Sequence, residues 1–201
     1  VADKIILEPA AKGYRRLPSP VQTGVGNFFS NLRLPLVIVN QFLQGQFGNA
    51  FSSAGRLVIN TTIGIGGLVD VAEKVGLDEK EEDFGQTLAT WGVGDGPYIV
   101  LPIFGPSNFR DTAGMLLTIS TDPVNIYLAD QGEGDLLMLK TAGTTVDQRA
   151  KIIDEVNALR ENSVDYYAAV RSSYNQNREA AIANRDDDQL TPVPVISVEF
   201  E

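Results

Sequence analysis

The segment from Asp83 to Asp111 restricts the possible folds of this chain more than any other part. It contains five glycines and three prolines between closely spaced apolar residues. Gly92, Gly94 and Gly96 occupy alternate positions in it, and glycine adopts positive φ angles without steric cost. We therefore predict a turn or hairpin that can move at this point.

Two prolines, Pro97 and Pro102, enclose the apolar run that follows the three glycines. Each proline fixes its own φ angle, and Pro102 excludes a central strand because it has no backbone N–H. The residues between them should be extended, apolar and anchored between rigid elements. Such a segment can be a tightly packed loop that crosses the core or a gate on an apolar cavity, and composition leaves both interpretations open.

The composition removes most catalytic chemistry. The chain has no cysteine and no histidine, which excludes disulfides, thiolate catalysis, Ser-His-Asp triads and most zinc sites. The formal net charge is −10, and nucleic acid is not an expected partner because phosphate binding needs basic patches. Any catalysis would have to rest on carboxylates, lysine, tyrosine, serine or threonine. We expect no catalytic residue, no metal site, no cofactor and no enzyme activity.

Acidic and basic side chains lie within the apolar segments of the sequence. Asp70, Asp83 and Asp111 are the acidic members, and Arg56 and Arg110 are basic residues in similar surroundings. A buried carboxylate normally persists only when a cation pairs with it. Paired carboxylates can also serve in general acid–base catalysis, but we interpret these residues as structural ion pairs.

Helical periodicity dominates the chain and predicts an all-α fold. The apolar runs at 34–43 and 57–71 fall short of the ~20 residues that a membrane-spanning helix needs. They fit buried core helices or helices that lie along a membrane interface. The predicted helices are Ser19 to Leu32, Pro35 to Gly45, Phe47 to Asn60, Leu68 to Val75, Glu81 to Trp91, one capped by Ser107, one from Pro123, and several between Thr145 and Arg185.

The last third of the chain is more polar than the first two thirds. Its helices are amphipathic with charged outer faces. The final residues, 186–201, are acidic and interrupted by proline, so we expect an extended tail. Its ISVEF segment could add to the sheet edge of a partner, although an unstructured terminus is the favoured interpretation.

Three long segments resemble one known protein family. They are GNFFSNLRLPLVIVNQFLQGQFGNA at Gly26–Ala50, RLVINTTIGIGGLVDVA at Arg56–Ala72 and EDFGQTLATWGVGDGPYIVLPIFGPSNFRD at Glu82–Asp111. In order and spacing they are closely similar to the MlaA (also VacJ) family of phospholipid-transport lipoproteins from the Gram-negative outer membrane. DYYAAVRSSYNQNR, at Asp165–Arg178, resembles a closing family element more loosely. The resemblance covers more than half of the chain.

The resemblance implies a fold and a location. Members of the family form an all-helical ring of short helices within the inner, periplasmic leaflet of the outer membrane, around a central amphipathic channel. For this chain it implies a single domain over residues 1–185, with a membrane-embedded part at about 18–130 and periplasm-facing helices at about 131–185. The acidic tail at 186–201 would follow that domain.

The resemblance also implies a function and partners. Family members take misplaced phospholipids from the outer leaflet and deliver them to a soluble periplasmic lipid carrier, often while bound to an outer-membrane porin trimer. This activity maintains lipid asymmetry. In this interpretation Gly92 and Gly94, with Gly96, supply the flexible turn of a hairpin that lines the channel, and Pro97 and Pro102 stiffen the segment beyond it. A static core loop is the alternative.

Two features of the family pattern are missing from the sequence. The lipobox cysteine and an NR...FnfN entry segment have no counterpart, and we expect that a signal peptide was removed or lies outside this chain. A non-conducting periplasmic scaffold that docks a porin or envelope complex is the alternative function. A carboxylate-dependent lipid hydrolase is disfavoured because the chain has no histidine.

Overall fold

The computed structural model describes residues 3–102 and 104–184. The predicted tail at 186–201 lies outside these residues. The described part forms a π-helical turn at Asp3–Leu7, ten α-helices and one β-hairpin. The helices are α1 (Glu8–Tyr14), α2 (Ser19–Leu43), α3 (Phe47–Thr62), α4 (Val71–Lys74), α5 (Phe84–Thr90), α6 (Phe109–Thr121), α7 (Pro123–Asp130), α8 (Gly134–Lys151), α9 (Ile153–Asn162) and α10 (Tyr166–Ile182).

The all-α prediction is confirmed, with one small sheet as the exception. Strand β1 (Tyr98–Leu101) pairs antiparallel with β2 (Gly105–Asn108), in a register that places Leu101 opposite Gly105. The backbone before Pro102 is extended, as predicted, but its pairing partner was missed. Strands of four residues are too short for an alternating pattern, and the glycine and proline that begin β2 have low strand propensity.

Helix α2 is one continuous helix where two were predicted. Pro35 lies inside it, although proline removes one backbone hydrogen bond and usually interrupts a helix. Leu34, Leu36 and Val37 are buried around this point, and α2 packs along α3. Burial of side chains on both sides of Pro35 therefore outweighs the missing hydrogen bond.

Several helix boundaries differ from the prediction. Asn108, not Ser107, caps α6, because the Asn108 side chain accepts a hydrogen bond from the Asp111 N–H at 2.7 Å, whereas Ser107 Oγ lies 3.0 Å from Thr112 Oγ1. The helix predicted from Leu68 contains only Val71–Lys74, since Asp70 caps it. The helical region predicted from Thr145 already begins with α8 at Gly134.

Helix α5 begins one turn later than predicted. Asp83 caps it by accepting a hydrogen bond from the Gln86 N–H at 2.9 Å. Among the described residues, none of the helices has both the length and the apolar character needed to cross a bilayer. The chain thus combines non-spanning helices with a hairpin between α5 and α6, and this hairpin segment holds the candidate site.

Candidate functional site

The outer surface of the described chain is unusually apolar. On α3, Phe47, Phe51 and Val58 are 59%, 70% and 62% exposed and share one helix face. Single exposed apolar residues are normal on soluble proteins, but a contiguous patch marks a binding or membrane surface. Further exposed large apolar side chains include Phe42, Ile63, Ile65, Leu68, Trp91, Phe104, Phe109, Leu116, Leu117, Ile126, Leu136, Met138 and Leu139.

The interior beside this surface is polar. Thr87, fully buried on α5, donates a hydrogen bond to Asn40 Oδ1 at 2.7 Å, and Gln44 Nε2 donates to Glu82 Oε2 at 2.8 Å. Gln46 Nε2 donates to the other Glu82 oxygen at 3.2 Å. Burial raises the pKa of Glu82 even though both amides lower it. The described fold therefore places amides and a carboxyl group inside and large apolar side chains outside.

The glycine loop, residues 91–97, leads from α5 into the hairpin. Gly92 and Gly96 have positive φ angles of 89° and 69°, a region that favours glycine. Gly94 does not have a positive φ angle. An added Cβ atom would meet nothing within 4 Å at Gly92 or Gly94, but it would lie 2.9 Å from Phe109 Cβ at Gly96. The first two glycines thus face open space, and the third packs against α6.

The two prolines lie at the ends of β1. Pro97 precedes the strand, and its carbonyl accepts a hydrogen bond from the Phe109 N–H at 3.2 Å. Pro102 follows the strand, and its carbonyl accepts from the Phe104 N–H at 2.9 Å. The fixed φ angles of the two prolines restrict the backbone directly before and directly after β1.

Several hydrogen bonds hold the glycine loop against the helices. Arg110 Nη1 donates to Asp95 Oδ1 at 2.8 Å, and the Arg110 backbone N–H donates to the Asp95 carbonyl at 3.1 Å. At the other end, Trp91 Nε1 donates to the Leu43 carbonyl of α2 at 3.1 Å. Arg110 is buried, whereas 71% of the Asp95 side chain is exposed. The N–H groups of Gly92 and Val93 also donate to carbonyls of α5, at 2.9 and 3.0 Å. The loop is therefore fixed up to Val93 and again at Asp95, with Gly94 between these points.

Arg178 on α10 organises a second group of charges behind the hairpin. Its Nη1 and Nη2 atoms donate to the two oxygens of Asp83, each at 2.7 Å, and Nη2 also donates to Asp111 Oδ1 at 3.1 Å. Asp111 accepts further hydrogen bonds from Arg110 Nε at 3.0 Å and from the Tyr174 hydroxyl. This network joins α5, α6 and α10.

Ionisation in the network follows from these contacts. Burial alone would raise the pKa of Asp83 and of Asp111, but hydrogen bonds and the positive charge of Arg178 hold both pKa values below the usual range. Burial and the hydrogen bond to Asp111 raise the pKa of Tyr174. Both carboxyl groups are therefore ionised at neutral pH, and Tyr174 stays a neutral donor.

Two glycines allow the helices of this network to approach closely. A Cβ atom on Gly85 would lie 2.3 Å from Arg178 Nη2 and 2.6 Å from Asp111 Oδ1. A Cβ atom on Gly114 would lie 2.4 Å from the backbone nitrogen of Gly85. Larger residues at these positions would separate α5 from α6 and disrupt the ion pairs.

Arg56 and Asp70 form a separate ion pair between α3 and α4. Arg56 Nη2 donates to Asp70 Oδ2 at 2.6 Å, and Arg56 Nη1 donates to the Leu77 carbonyl. Asn60 Nδ2 donates to Asp70 Oδ1 at 3.0 Å, while Asn60 Oδ1 accepts from the Val71 N–H at 2.9 Å. These contacts hold the turn between the two helices.

The structure thus divides the five predicted ion-pair residues into two clusters. Asp83, Arg110 and Asp111 lie together behind the hairpin, while Arg56 pairs with Asp70 elsewhere. Sequence reasoning missed Arg178 and Tyr174 as partners, and the one available signal was the DYYAAVRSSYNQNR segment that contains both. In the part of the chain that the structure describes, no group of three or more acidic side chains is arranged to hold a metal ion.

Comparisons with known proteins identify relatives of this chain. Residues 1–181 match the family model described as MlaA lipoprotein. Two relatives are named "Intermembrane phospholipid transport system lipoprotein MlaA". The Escherichia coli protein is 36% identical over 92% of this chain and 72% of its own length. The Haemophilus influenzae protein is 35% identical over 88% of this chain and 70% of its own length. An uncharacterised protein of Rickettsia bellii is 40% identical over 90% of this chain and 71% of its own length.

A solved structure shares the fold. It is described as "Structural basis for maintenance of bacterial outer membrane lipid asymmetry", and it superposes with a TM-score of 0.76 at 35% sequence identity. The match covers 90% of each chain.

Proposed function

The chain belongs to the MlaA lipoprotein family, and on this premise we propose that it acts in intermembrane phospholipid transport. It removes misplaced phospholipids from the outer leaflet of a Gram-negative outer membrane and passes them to a soluble periplasmic carrier. Its relatives in Escherichia coli and Haemophilus influenzae are named for that transport system. The role is transport without catalysis and maintains lipid asymmetry.

The observation that carries the proposal is the reversed distribution of polarity. Large apolar side chains such as Phe51 and Val58 are exposed, while Asn40, Glu82 and Thr87 are buried. Helices can lie in one leaflet because their backbone hydrogen bonds are satisfied internally. Met138 and Leu139 on α8 are also strongly exposed, so we extend the proposed membrane-facing part slightly beyond residue 130. The periplasm-facing helices then begin within α8.

A route for phospholipids needs polar groups for the headgroup and apolar groups for the acyl chains. We assign the first task to the half-buried amides of Gln44 and Gln46 and the second to the apolar side chains around them. Glu82 is fully buried and accepts hydrogen bonds from both amides, so it holds them in place. Because passage through such a channel is passive, its direction follows from the relative affinity of the carrier for the lipid. A porin trimer is the proposed partner in the membrane.

The glycine loop is the proposed gate of this route. Gly94 faces open space and lies between two fixed points, the backbone hydrogen bond of Val93 to α5 and the ion pair of Asp95 with Arg110. A tip that moves between fixed ends can open a passage without unfolding the helices. A static loop predicts no effect of stiffening on transport.

A reconstituted transfer assay tests the function. The purified protein is incorporated into donor vesicles with a fluorescent phospholipid, and the soluble periplasmic carrier of the same system is added as the acceptor. We expect lipid on the carrier only when the protein is present, with protein-free vesicles as the control. Tight binding to porin trimers without lipid transfer would favour a non-conducting scaffold, and release of free fatty acid would indicate a hydrolase.

A further inference from the structure

A cavity that opens to solvent and contains charged side chains lies between α1, α2 and α8, away from the glycine loop. It has a volume of about 300 Å³, and its wall includes Tyr14, Thr23, Gly26, Asp147 and Lys151. This volume is at the lower end of the range for small-molecule sites, so the cavity suits a small polar group rather than a complete lipid. Gly26 contributes backbone without a side chain, which leaves the centre of the wall open.

Two opposite charges face each other in this cavity. Asp147 Oδ2 pairs with Lys151 Nζ at 2.9 Å, and Asp147 Oδ1 accepts a hydrogen bond from the Tyr14 hydroxyl at 2.9 Å. Only 5% of the Asp147 side chain is exposed, against 60% for Lys151. Burial and the hydrogen bond to Asp147 raise the pKa of Tyr14 to about 12, so Tyr14 remains a neutral donor that orients the carboxylate.

The cavity retains unused hydrogen-bonding capacity. An ammonium group has three donors and each carboxylate oxygen has two lone pairs. The pairs named above occupy one Lys151 donor and one lone pair on each Asp147 oxygen. The hydroxyl of Thr23 lies in the same wall. The formal charges of the wall residues sum to zero, so a ligand that carries both charges matches the cavity better than an anion, which would face Asp147.

Apolar surface lies beside the cavity. Asn27, also in its wall, donates through Nδ2 to the Leu68 carbonyl at 3.3 Å. Leu68 is 44% exposed and Val69 is 37% exposed. Acyl chains could lie on these side chains while a headgroup occupies the cavity.

We propose that this cavity is a headgroup site for a zwitterionic phospholipid that carries a primary ammonium group. The phosphate contacts Lys151 and the Thr23 hydroxyl, and the ligand ammonium contacts Asp147. Tyr14 acts as a positioning residue through Asp147. The assignment rests on the proposed function, because it names the lipid class that the transport route takes.

The test measures lipid binding by native mass spectrometry of the full protein in detergent with equimolar phosphatidylethanolamine and phosphatidylglycerol. We expect the wild type to retain phosphatidylethanolamine preferentially. Asp147→Asn removes the partner of the ammonium and leaves the lining positive, so the preference should reverse toward phosphatidylglycerol. Lys151→Gln should weaken phosphatidylethanolamine binding about tenfold, the effect of one charge-assisted hydrogen bond.

Two further variants separate binding from folding. Lys12 is 58% exposed and forms an ion pair with Glu8 four positions earlier, as Lys151 does with Asp147. The control variant Lys12→Gln should therefore leave lipid binding unchanged. Gly26→Ala would place a methyl group 3.4 Å from Lys151 Nζ within helix α2. It should reduce binding while the thermal midpoint stays equal or rises, because alanine favours helices.

The outcomes distinguish this site from the general function. Unchanged headgroup ratios and affinities in Asp147→Asn, Lys151→Gln and Gly26→Ala, with lipid still bound, would overturn the cavity assignment and leave transport intact. A wild-type protein that binds neither lipid would overturn both. Competition by glycerophosphoethanolamine, which has no acyl chains, at the same concentration as the lipid would assign the cavity to a soluble metabolite instead.

Discussion

Arg178 forms two parallel hydrogen bonds of 2.7 Å with Asp83, which lies 95 positions earlier in the chain. The same guanidinium group contacts Asp111 at the start of α6. One side chain of the polar last third therefore fixes both helices that flank the glycine loop and hairpin. A gate at that loop would depend on this anchor for a rigid frame.

Replacement of Arg178 should destabilise the fold. Arg178→Ala leaves Asp83 and Asp111 without their shared cation, and we expect a loss of about 2 kcal/mol in the free energy of unfolding, allowing for the partial exposure of Asp83. Arg178→Lys should lose less, because lysine keeps the charge without the planar fork. Denaturant titration in detergent gives the values. Arg15→Ala, which removes an exposed pair with Asp154, is the control and should leave the transition midpoint nearly unchanged.

Stability should fall in acid because of the same carboxylates. The pKa values of Asp83 and Asp111 are lowered in the folded state from an ordinary value of 3.8. Their contribution is present above that value and is lost as the pH falls through the folded-state pKa. Thermal midpoints between pH 5 and pH 2 should drop more steeply in the wild type than in Asp83→Asn. Parallel curves would contradict this assignment.

Glu82 should have the opposite pH dependence. Burial raises its pKa above the ordinary value of 4.5, so its neutral form favours the folded state, and that contribution is lost as the pH rises through the raised pKa. Glu82→Gln should therefore gain stability relative to the wild type as the pH increases above 4.5, with no gain below. Thermal midpoints from pH 3 to pH 8 provide the test, and a constant difference over this range would refute it.

The glycine loop allows transport to be separated from stability. Gly94 has neither a positive φ angle nor a close neighbour, so Gly94→Val should slow lipid transfer in the reconstituted assay by stiffening the loop, at an unchanged thermal midpoint. Gly96→Val is the matched comparison: its φ angle of 69° and the 2.9 Å approach to Phe109 should make it less stable. If Gly94→Val transfers lipid at the wild-type rate, and a variant that also replaces Gly92 does so too, the loop is static.

The exposed face of α3 should bind membranes. Phe47, Phe51 and Val58 are more than half exposed, so the triple replacement by serine should affect folding in detergent little. Full burial of one such side chain in apolar surroundings contributes roughly 1.5–3 kcal/mol, and binding to vesicles in a flotation assay should weaken strongly. Val164→Ser, at a fully exposed valine before α10, should float like the wild type.

Local sequence patterns predicted much of the backbone. Helical periodicity identified α3, α5 and the helices of the last third, since their apolar residues recur at the helical spacing. Periodicity failed at Pro35, where burial on both sides keeps α2 continuous. It also misplaced the hairpin: the turn was predicted at Gly92 to Gly96, whereas the strands pair with Leu101 opposite Gly105. Strand β2 was missed because it is four residues long and begins with glycine and proline.

The sequence by itself determined the family, the predominance of helices and the absence of histidine and cysteine chemistry, because these follow from residue identity and local spacing. Only the tertiary structure decided that Arg178 is the common partner of Asp83 and Asp111 and that Lys151 and Asp147 share a cavity with Tyr14. Local spacing cannot predict such contacts, because helix packing brings together residues that lie far apart in the chain.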